Sequence, residues 1–281
     1  MIDLKQISRN LEQSVEGSWR SKAQSAISYP EWGNQACFDV EDSSFWFQHR
    51  NVCILEALRQ YPPPGPLFDI GGGNGFVAKA MQDAGLEVVL VEPGAAGAGN
   101  ARRRGIQHVV LATLDDAGFI PGSLPAIGLF DVVEHIEDDH KFLQTIRTHL
   151  ASQGRVYLTV PAYQALWSEA DVAAGHFRRY SRRTLQELIE KAGLKVEFAT
   201  GFFQFLPPAI FAMRVLPYRL GWRTRPESQD GDATMASQHE IKSGPIERIL
   251  NRVQQRELAG IRARRENKFG ASWLVVAQKI A

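Results

Sequence analysis

The chain has 281 residues, 44% apolar and 22% charged, with a formal net charge of +1. That length suffices for one well-buried α/β core plus an elaboration, and the composition is that of an ordinary globular protein. The near-neutral balance excludes bulk attraction for nucleic acid, and no nucleic-acid partner is expected. Cys37 and Cys53 form no paired motif, which points to a reducing compartment. Met1 to Asn10 is too polar for a signal peptide, and no uncharged apolar run is long enough to span a bilayer. A cytoplasmic location is therefore expected. No internal repeat or low-complexity segment is visible.

Met1 to Tyr29 reads as partly helical, with Leu4, Ile7 and Leu11 at helical spacing. Ser43 or Ser44 is placed to cap a helix from Phe45 to Gln60. That helix opens on Phe45-Trp46-Phe47, followed by His49, Arg50 and Asn51, and is read either as a core-packing end or as a lid. The proline run Pro62 to Pro66 stops it. Leu67 to Ile70 is a first strand, and Gly71-Gly72-Gly73-Asn74-Gly75 a turn into a helix from Phe76 to Ala84. Glycines let a ligand lie against the main chain, and the helix start offers N–H groups and a positive dipole end. Asp69 is placed to hold an ammonium or hydroxyl group.

Glu87 to Val91 is a second strand, ended by Glu92-Pro93-Gly94, with a helix through Arg104. Glu92 lies 23 positions after Asp69. An acid at about that distance past a glycine turn bonds ribose hydroxyls in doubly wound folds, so a nucleoside site is read here. A dinucleotide fingerprint wants G-x-G-x-x-G. Here Gly71, Gly73 and Gly75 fit G-x-G-x-G and Phe76 takes the place of the third glycine, which argues against a nicotinamide oxidoreductase.

Val109 to Ala112 is a third strand, followed by Thr113-Leu114-Asp115-Asp116. Ala126 to Val133 is a fourth, running into Glu134-His135-Ile136. Asp138 or Asp139 caps the next helix, which reaches about Leu150 and is closed by Gly154. Arg155 to Val160 is a fifth strand, and Pro161 opens a loop through Arg179 that carries Trp167, Asp171 and His176. Ser181 to Ala192 is a helix closed by Gly193, and Lys195 to Phe198 a sixth strand. This alternation predicts a parallel sheet.

Gly201 to Gly270 departs from a minimal fold. Phe202 to Trp222 is apolar but broken by Pro207, Pro208, Arg214 and Pro217, and Arg223 to Gly244 is polar and expected to be mobile. A helix starting near Pro245 carries an apolar stripe (Ile246, Ile249, Leu250, Val253, Leu258, Ile261) opposite Arg248, Arg252, Arg256 and Arg262. Ser272 to Gln278 is the last strand. The expected organisation is an N-terminal helical segment (1–61), a core (62–200), a helical insertion (201–270) and a closing core strand (271–281). An antiparallel last strand must re-enter from the carboxyl ends of the parallel strands, where open α/β sheets bind ligands. The insertion is therefore expected above that face, beside the Pro161 to Arg179 loop.

Phe68-Asp69-Ile70-Gly71-Gly72-Gly73-Asn74-Gly75 resembles motif I of class I S-adenosylmethionine-dependent methyltransferases, and Asp131-Val132-Val133-Glu134-His135 resembles the D-V-L-E-H segment of its small-molecule members. The likeness runs from about Phe45 to Phe198 and again from Trp273 to Lys279. It implies a Rossmann-like doubly wound seven-stranded sheet, mostly parallel with the last strand antiparallel, helices on both faces and S-adenosylmethionine as cofactor. It also implies contacts from Asp69, Gly71, Gly73, Asn74, Gly75 and Phe76, then Glu92 and Pro93, then Thr113, Leu114 and Asp115, then Phe130 and Asp131. The family's adenine-binding acid aligns with Thr113, with Asp115 two positions later. Aromatic N-terminal helices form cofactor lids in similar proteins.

Methyl transfer to a small-molecule, lipid or glycan acceptor is the expected activity, by in-line displacement. A non-catalytic nucleoside-binding scaffold and a NAD-dependent oxidoreductase are the alternatives. His135, His176 and Tyr180 are candidate bases for an acceptor that must lose a proton. Arg178 and Arg179 are read either as acceptor anchors or as a solvated pair. Glu134, His135 and His140 lack a completing ligand, so no metal is expected. The basic helix of the insertion (202–265) is read either as packing on the core or as resting on an anionic membrane surface.

Overall fold

The computed structural model describes residues 2–14, 17–22, 38, 40–221 and 245–280, with the side chains of 245–249 left aside. Its strands are β1 (Leu11–Gln13), β2 (Trp19–Ser21), β3 (Leu67–Ile70), β4 (Val88–Glu92), β5 (His108–Leu111), β6 (Leu124–Phe130), β7 (Leu150–Pro161), β8 (Leu194–Phe202) and β9 (Ser272–Lys279). They form one sheet in the order β1-β2-β5-β4-β3-β6-β7-β9-β8. β3 pairs in parallel with β4 on one side and β6 on the other. The chain thus winds outwards in both directions from β3, and the crevice beyond the carboxyl ends of β3 and β6 is where such sheets bind ligands. β9 runs antiparallel between β7 and β8, as expected.

Two apolar layers sandwich this sheet. Alternate strand residues face opposite sides, because the side-chain period of a strand is two. Phe68, Ile70, Val89 and Val91 meet α5 (Asp139–His149) and α7 (Arg182–Lys191). Leu67, Val88 and Leu90 meet α2 (Phe45–Gln60), α3 (Phe76–Asp83), α4 (Ala95–Arg103) and α10 (Pro245–Arg262). Ser44 caps α2 by accepting the Trp46 N–H at 3.3 Å, and Asp138 caps α5 by accepting the Lys141 N–H at 3.0 Å.

Three sequence expectations are corrected. The sheet has nine strands among the described residues, not seven. Among its described residues, the stretch from Met1 to Tyr29 makes one helical turn, α1 (Leu4–Ile7), and then, from Leu11 onwards, a hairpin whose β2 adds in parallel to the outer edge of β5. Ser8 fastens it by donating to the Ala117 carbonyl at 2.6 Å, and an otherwise open sheet edge is covered. Third, α5 passes directly into β7, so Gly154 lies inside a strand rather than closing a helix. The expectations for residues 23–29 and for Arg223 to Gly244 lie outside the described residues.

The insertion between β8 and β9 sits above the carboxyl ends, as the topology requires. It begins with α8 (Leu206–Ile210), a π-turn (Phe211–Val215) and α9 (Leu216–Arg219), and ends with α10. Arg219 donates to the Ala165 carbonyl at 3.2 Å, which places it beside the loop after β7. Leu250, Leu258 and Ile261 of α10 are buried and Arg252, Arg256 and Arg262 exposed, so the apolar stripe faces the protein, against α2. A buried clamp ties the two helices. His49 of α2 bonds Glu257 of α10 at 2.7 Å, and Glu257 also accepts the backbone N–H groups of Phe203 at 3.1 Å and Gln204 at 2.6 Å. Trp46 stacks on Phe203 with 5.5 Å between centroids.

Glu257→Ala leaves buried groups on three residues without their acceptor. It is expected to lower stability by about 3–5 kcal/mol, read from the urea-unfolding midpoint; a loss below about 1 kcal/mol would mean that the clamp carries little.

Candidate active site

The glycine turn after β3 is shaped by left-handed backbone. Gly71, Gly73 and Gly75 have φ of +70°, +53° and +77°. A Cβ on Gly75 would lie 2.9 Å from Ala101 Cβ, so a side chain there would push α4 away. A Cβ on Gly72 would lie 2.7 Å from Asp69 Oδ2. Asp69 is buried beneath the turn, and its Oδ2 has no hydrogen-bond partner. Burial pushes its carboxyl up to about 7; Arg50 opposes that shift and Glu92 adds to it. Glu92 accepts the N–H groups of Gly73 at 2.9 Å and Gly94 at 2.7 Å. Burial still raises its carboxyl above the usual range, against those two N–H groups.

The remaining predicted contacts divide. The Asn74 side chain is buried and tied to its neighbours, donating to Glu41 at 3.2 Å and accepting from Asn100 at 2.8 Å. Phe76 stands edge-on to Phe47 of α2 at 6.1 Å, and its carbonyl accepts from Asn51 at 3.1 Å. Pro93 is half-buried at the end of β4. After β5, Thr113 Oγ1 accepts the Asp116 N–H at 3.0 Å and closes a turn, Leu114 is buried in the core, and Asp115 is exposed. β6 ends at Phe130, three residues earlier than expected, because Asp131 takes φ +58° and a short 3₁₀ turn follows over Val133–His135. Phe130 is buried, and Asp131 Oδ1 accepts from Thr159 Oγ1 at 3.0 Å.

Arg50 of α2 is the residue whose role sequence reading missed. Its guanidinium is buried, ion-pairs with Asp131 and lies over the rings of Trp46 (4.8 Å) and Phe47 (5.2 Å). Its Nε has no partner. The signal was a cation directly after an aromatic triplet, but nothing local showed what it would face. Glu134 is the second such residue: it is buried, and its Oε2 has no partner. Burial, and then Asp131, raise its carboxyl well above the usual range.

The loop after β7, which carries α6 (Glu169–Ala173), folds back onto the 3₁₀ turn. The rings of His135 and His176 meet edge-on at 4.7 Å. His176 Nδ1 bonds Asp171 at 2.9 Å, and Arg179 Nε donates to the same carboxylate at 2.7 Å. Burial works against ionised Asp171, but the bonds from His176 and Arg179 hold its carboxyl below the usual range. His135 is pushed down to about 4, by burial and then by His176. Tyr180, the third candidate base, is buried beside them. Its hydroxyl donates to Asp139 at 2.8 Å, and burial together with that bond raises the phenol far above its ordinary value. Arg178 and Arg179, read as acceptor anchors or a solvated pair, each have a partner: Arg178 pairs with Asp139 at 2.6 Å and Arg179 with Asp171 at 2.7 Å. His140, on α5, stays outside the histidine pair, which His176 completes instead.

A profile of the methyltransferase-domain family matches residues 48–198, more than half of the chain. The chain belongs to this family. The match contains the glycine turn, Glu92, the Asp131 turn and the His176 loop, and it stops before the insertion. A relative from Mycolicibacterium smegmatis, named a probable S-adenosylmethionine-dependent methyltransferase, is 24% identical over 181 residues, covering 62% of this chain and 68% of its own. Two solved structures share the fold. One is the Haloferax volcanii putative methyltransferase in complex with the Trm112 activator, with a TM-score of 0.56 and 18% identity over 89% of this chain and 96% of that one. The other is Haemonchus contortus phosphoethanolamine N-methyltransferase 2 with S-adenosyl-L-methionine, at 0.54 and 20% over 91% of this chain. This methyltransferase spans 58% of that protein's length.

The pH dependence of the methyltransferase follows from its buried acid. Between the ordinary value of 3.8 and about 7, folded Asp69 keeps a proton that the unfolded chain has released. Asp69 therefore costs stability progressively as pH rises through that window. His135 acts in the opposite sense: from its ordinary 6.5 down towards 4 the unfolded chain gains a proton that the folded state refuses, so stability falls as pH drops. Ligand-free Asp69→Asn is expected to gain melting temperature over wild type, by a margin that widens from about pH 5 to about pH 8 in scanning calorimetry. A margin independent of pH would contradict a protonated Asp69.

Proposed function

We propose that this methyltransferase carries a methyl group from S-adenosylmethionine to a small-molecule, lipid or glycan acceptor bound under the insertion. The observation that carries the reading is Asp69: a buried carboxyl with an unpartnered oxygen, beneath a side-chain-free turn, where the strand order reverses. Buried polar groups are nearly always paired, so an orphan at this place marks a missing ligand. S-adenosylmethionine supplies, when bound, a methyl group already activated on a sulfonium.

The residues present fit that group. Gly71 and Gly73 leave room along the main chain, Glu92 suits the ribose hydroxyls, and Asp69 suits a cationic ammonium. Arg50 suits the carboxylate of the amino-acid end, for which its planar fork is well matched. Thr113, Leu114 and Asp115 border the base. Phe130 and Asp131 offer main chain at the end of β6. Phe47, Phe76 and Trp46 exclude water from above, which strengthens every charge interaction beneath them.

Because the donor is already activated, the protein chiefly supplies alignment. Tyr180 takes no proton, and His135, with a conjugate acid near 4, is neutral and weakly basic at pH 7. We read the histidine pair as a contact for the acceptor. Phe211, Met213, Leu216 and Leu220 of the insertion are exposed, and they favour an acceptor with an apolar portion. Any membrane contact runs through these residues rather than through the basic helix α10. No helix among the described residues is long and apolar enough to cross a bilayer.

Titration calorimetry with S-adenosylmethionine tests the reading. Glu92→Ala and Arg50→Ala are each expected to weaken binding by about tenfold or more, near 1.4 kcal/mol, while Tyr180→Phe leaves it unchanged. Turnover against hydroxyl, amine and thiol acceptors separates an enzyme from a scaffold. Unaltered affinity in both Glu92→Ala and Arg50→Ala would overturn the assignment.

A further inference from the structure

Glu134 and His135 are neighbours in sequence, and the fold brings them a third ligand from 41 positions beyond His135. The Phe177 N–H donates to the Glu134 carbonyl at 2.8 Å and pins the loop there. One nitrogen of His135, one nitrogen of His176 and one carboxylate oxygen of Glu134 then lie within 4.8 Å of one another. Nitrogen and oxygen ligands sit about 2.0–2.2 Å from a zinc-like ion, and so about 3.4 Å apart around it when tetrahedral. Rotamer adjustments of the order of an ångström close the set.

We propose that Glu134, His135 and His176 hold a divalent transition-metal cation on the acceptor side of the site. Glu134 is the strongest warrant. Its side chain is 1% exposed and one of its oxygens has no partner. A carboxylate in that position is costly unless a cation or a proton faces it. The surroundings of the histidines also match. Metal-bound histidines commonly give their other ring nitrogen to a carboxylate or a carbonyl, which fixes the ring. His176 gives Nδ1 to the fully buried Asp171, which is itself held by Arg179 and by the Ser168 N–H at 2.9 Å. His135 hydrogen-bonds the Gly175 backbone.

Two imidazoles and one carboxylate suit Zn²⁺, Co²⁺, Fe²⁺ or Mn²⁺ rather than Mg²⁺ or Ca²⁺, which prefer oxygen sets. Three protein ligands leave coordination positions open. At this face they would take a hydroxyl or phosphate oxygen of the acceptor. That role rests on the methyl-transfer reading; the binding of the cation does not. A second group, His49, Cys53 and Glu257, is also close-set, but it is a sealed clamp whose carboxylate already serves His49 and two backbone N–H groups.

The test is titration of tag-free, metal-stripped full-length protein with Co²⁺, followed by visible absorption. One equivalent is expected to bind, with d–d bands and no sulfur-to-cobalt charge-transfer band. Glu134→Gln and His176→Ala should each weaken binding by about tenfold or more, and His140→Ala should leave it unchanged. Wild-type protein that binds no Co²⁺ overturns the proposal whatever the variants do, and leaves a protonated Glu134 as the account. Undiminished binding in both Glu134→Gln and His176→Ala also overturns it, as does a thiolate band abolished by Cys53→Ser. Intact Co²⁺ binding in protein that ignores S-adenosylmethionine would overturn the methyl-transfer reading and keep the metal site.

Discussion

Four carboxylates crowd the carboxyl-end edge of the sheet, and the architecture of the site follows from the different ways in which each is tolerated. Glu92 is neutralised by two backbone N–H groups of the turns around it. Asp131 has Arg50 and Thr159. Asp69 and Glu134 each keep an unpartnered oxygen and are pushed towards the protonated form by burial. Removing a charge from water is expensive, so such a cluster persists only where something else completes it. Here the incomplete members flank the crevice at the strand-order reversal. The unpaired polarity lies where a cationic ligand is expected, and the satisfied polarity lies around it.

One turn of α2 links that cluster to the roof. Arg50 reaches down to Asp131, and its sequence neighbour His49 reaches across to Glu257 on α10. Successive residues on a helix point in different directions, so adjacent positions serve two layers at once. The aromatic start of the same helix continues the connection, with Trp46 on Phe203 and Phe47 against Phe76. The cover of the turn and the anchor of the insertion are therefore one rigid element.

Much of this was legible because it is local. The helix from Phe45 to Gln60, its Ser44 cap, the glycine turn and the acid that ends β4 each follow from short-range rules, and they stand where those rules put them. The position of the insertion was legible from topology alone. What escaped is what depends on distant pairing. The hairpin of β1 and β2 has only three residues per strand, and it exists because β5 offers it an edge. Tyr180 reads as a free phenol until Asp139 is seen beside it. Gly154 has the look of a helix stop, yet His149 runs into Leu150 with no turn between helix and strand. Glu134 and His135 seem an incomplete pair in the sequence, since nothing nearby announces that a loop will return His176 to them.

The two ends of the long excursion between β8 and β9 emerge side by side. The Gly201 N–H donates to the Asn267 carbonyl at 2.8 Å, and the Ala271 N–H to the Phe203 carbonyl at 3.3 Å. A segment whose stems are already fastened together adds little strain to the sheet beneath, and its length enters the closure entropy only logarithmically. A longer or shorter stretch between Phe203 and Glu257 would thus keep both the fastened stems and the clamp on α2, and with them the crevice beneath.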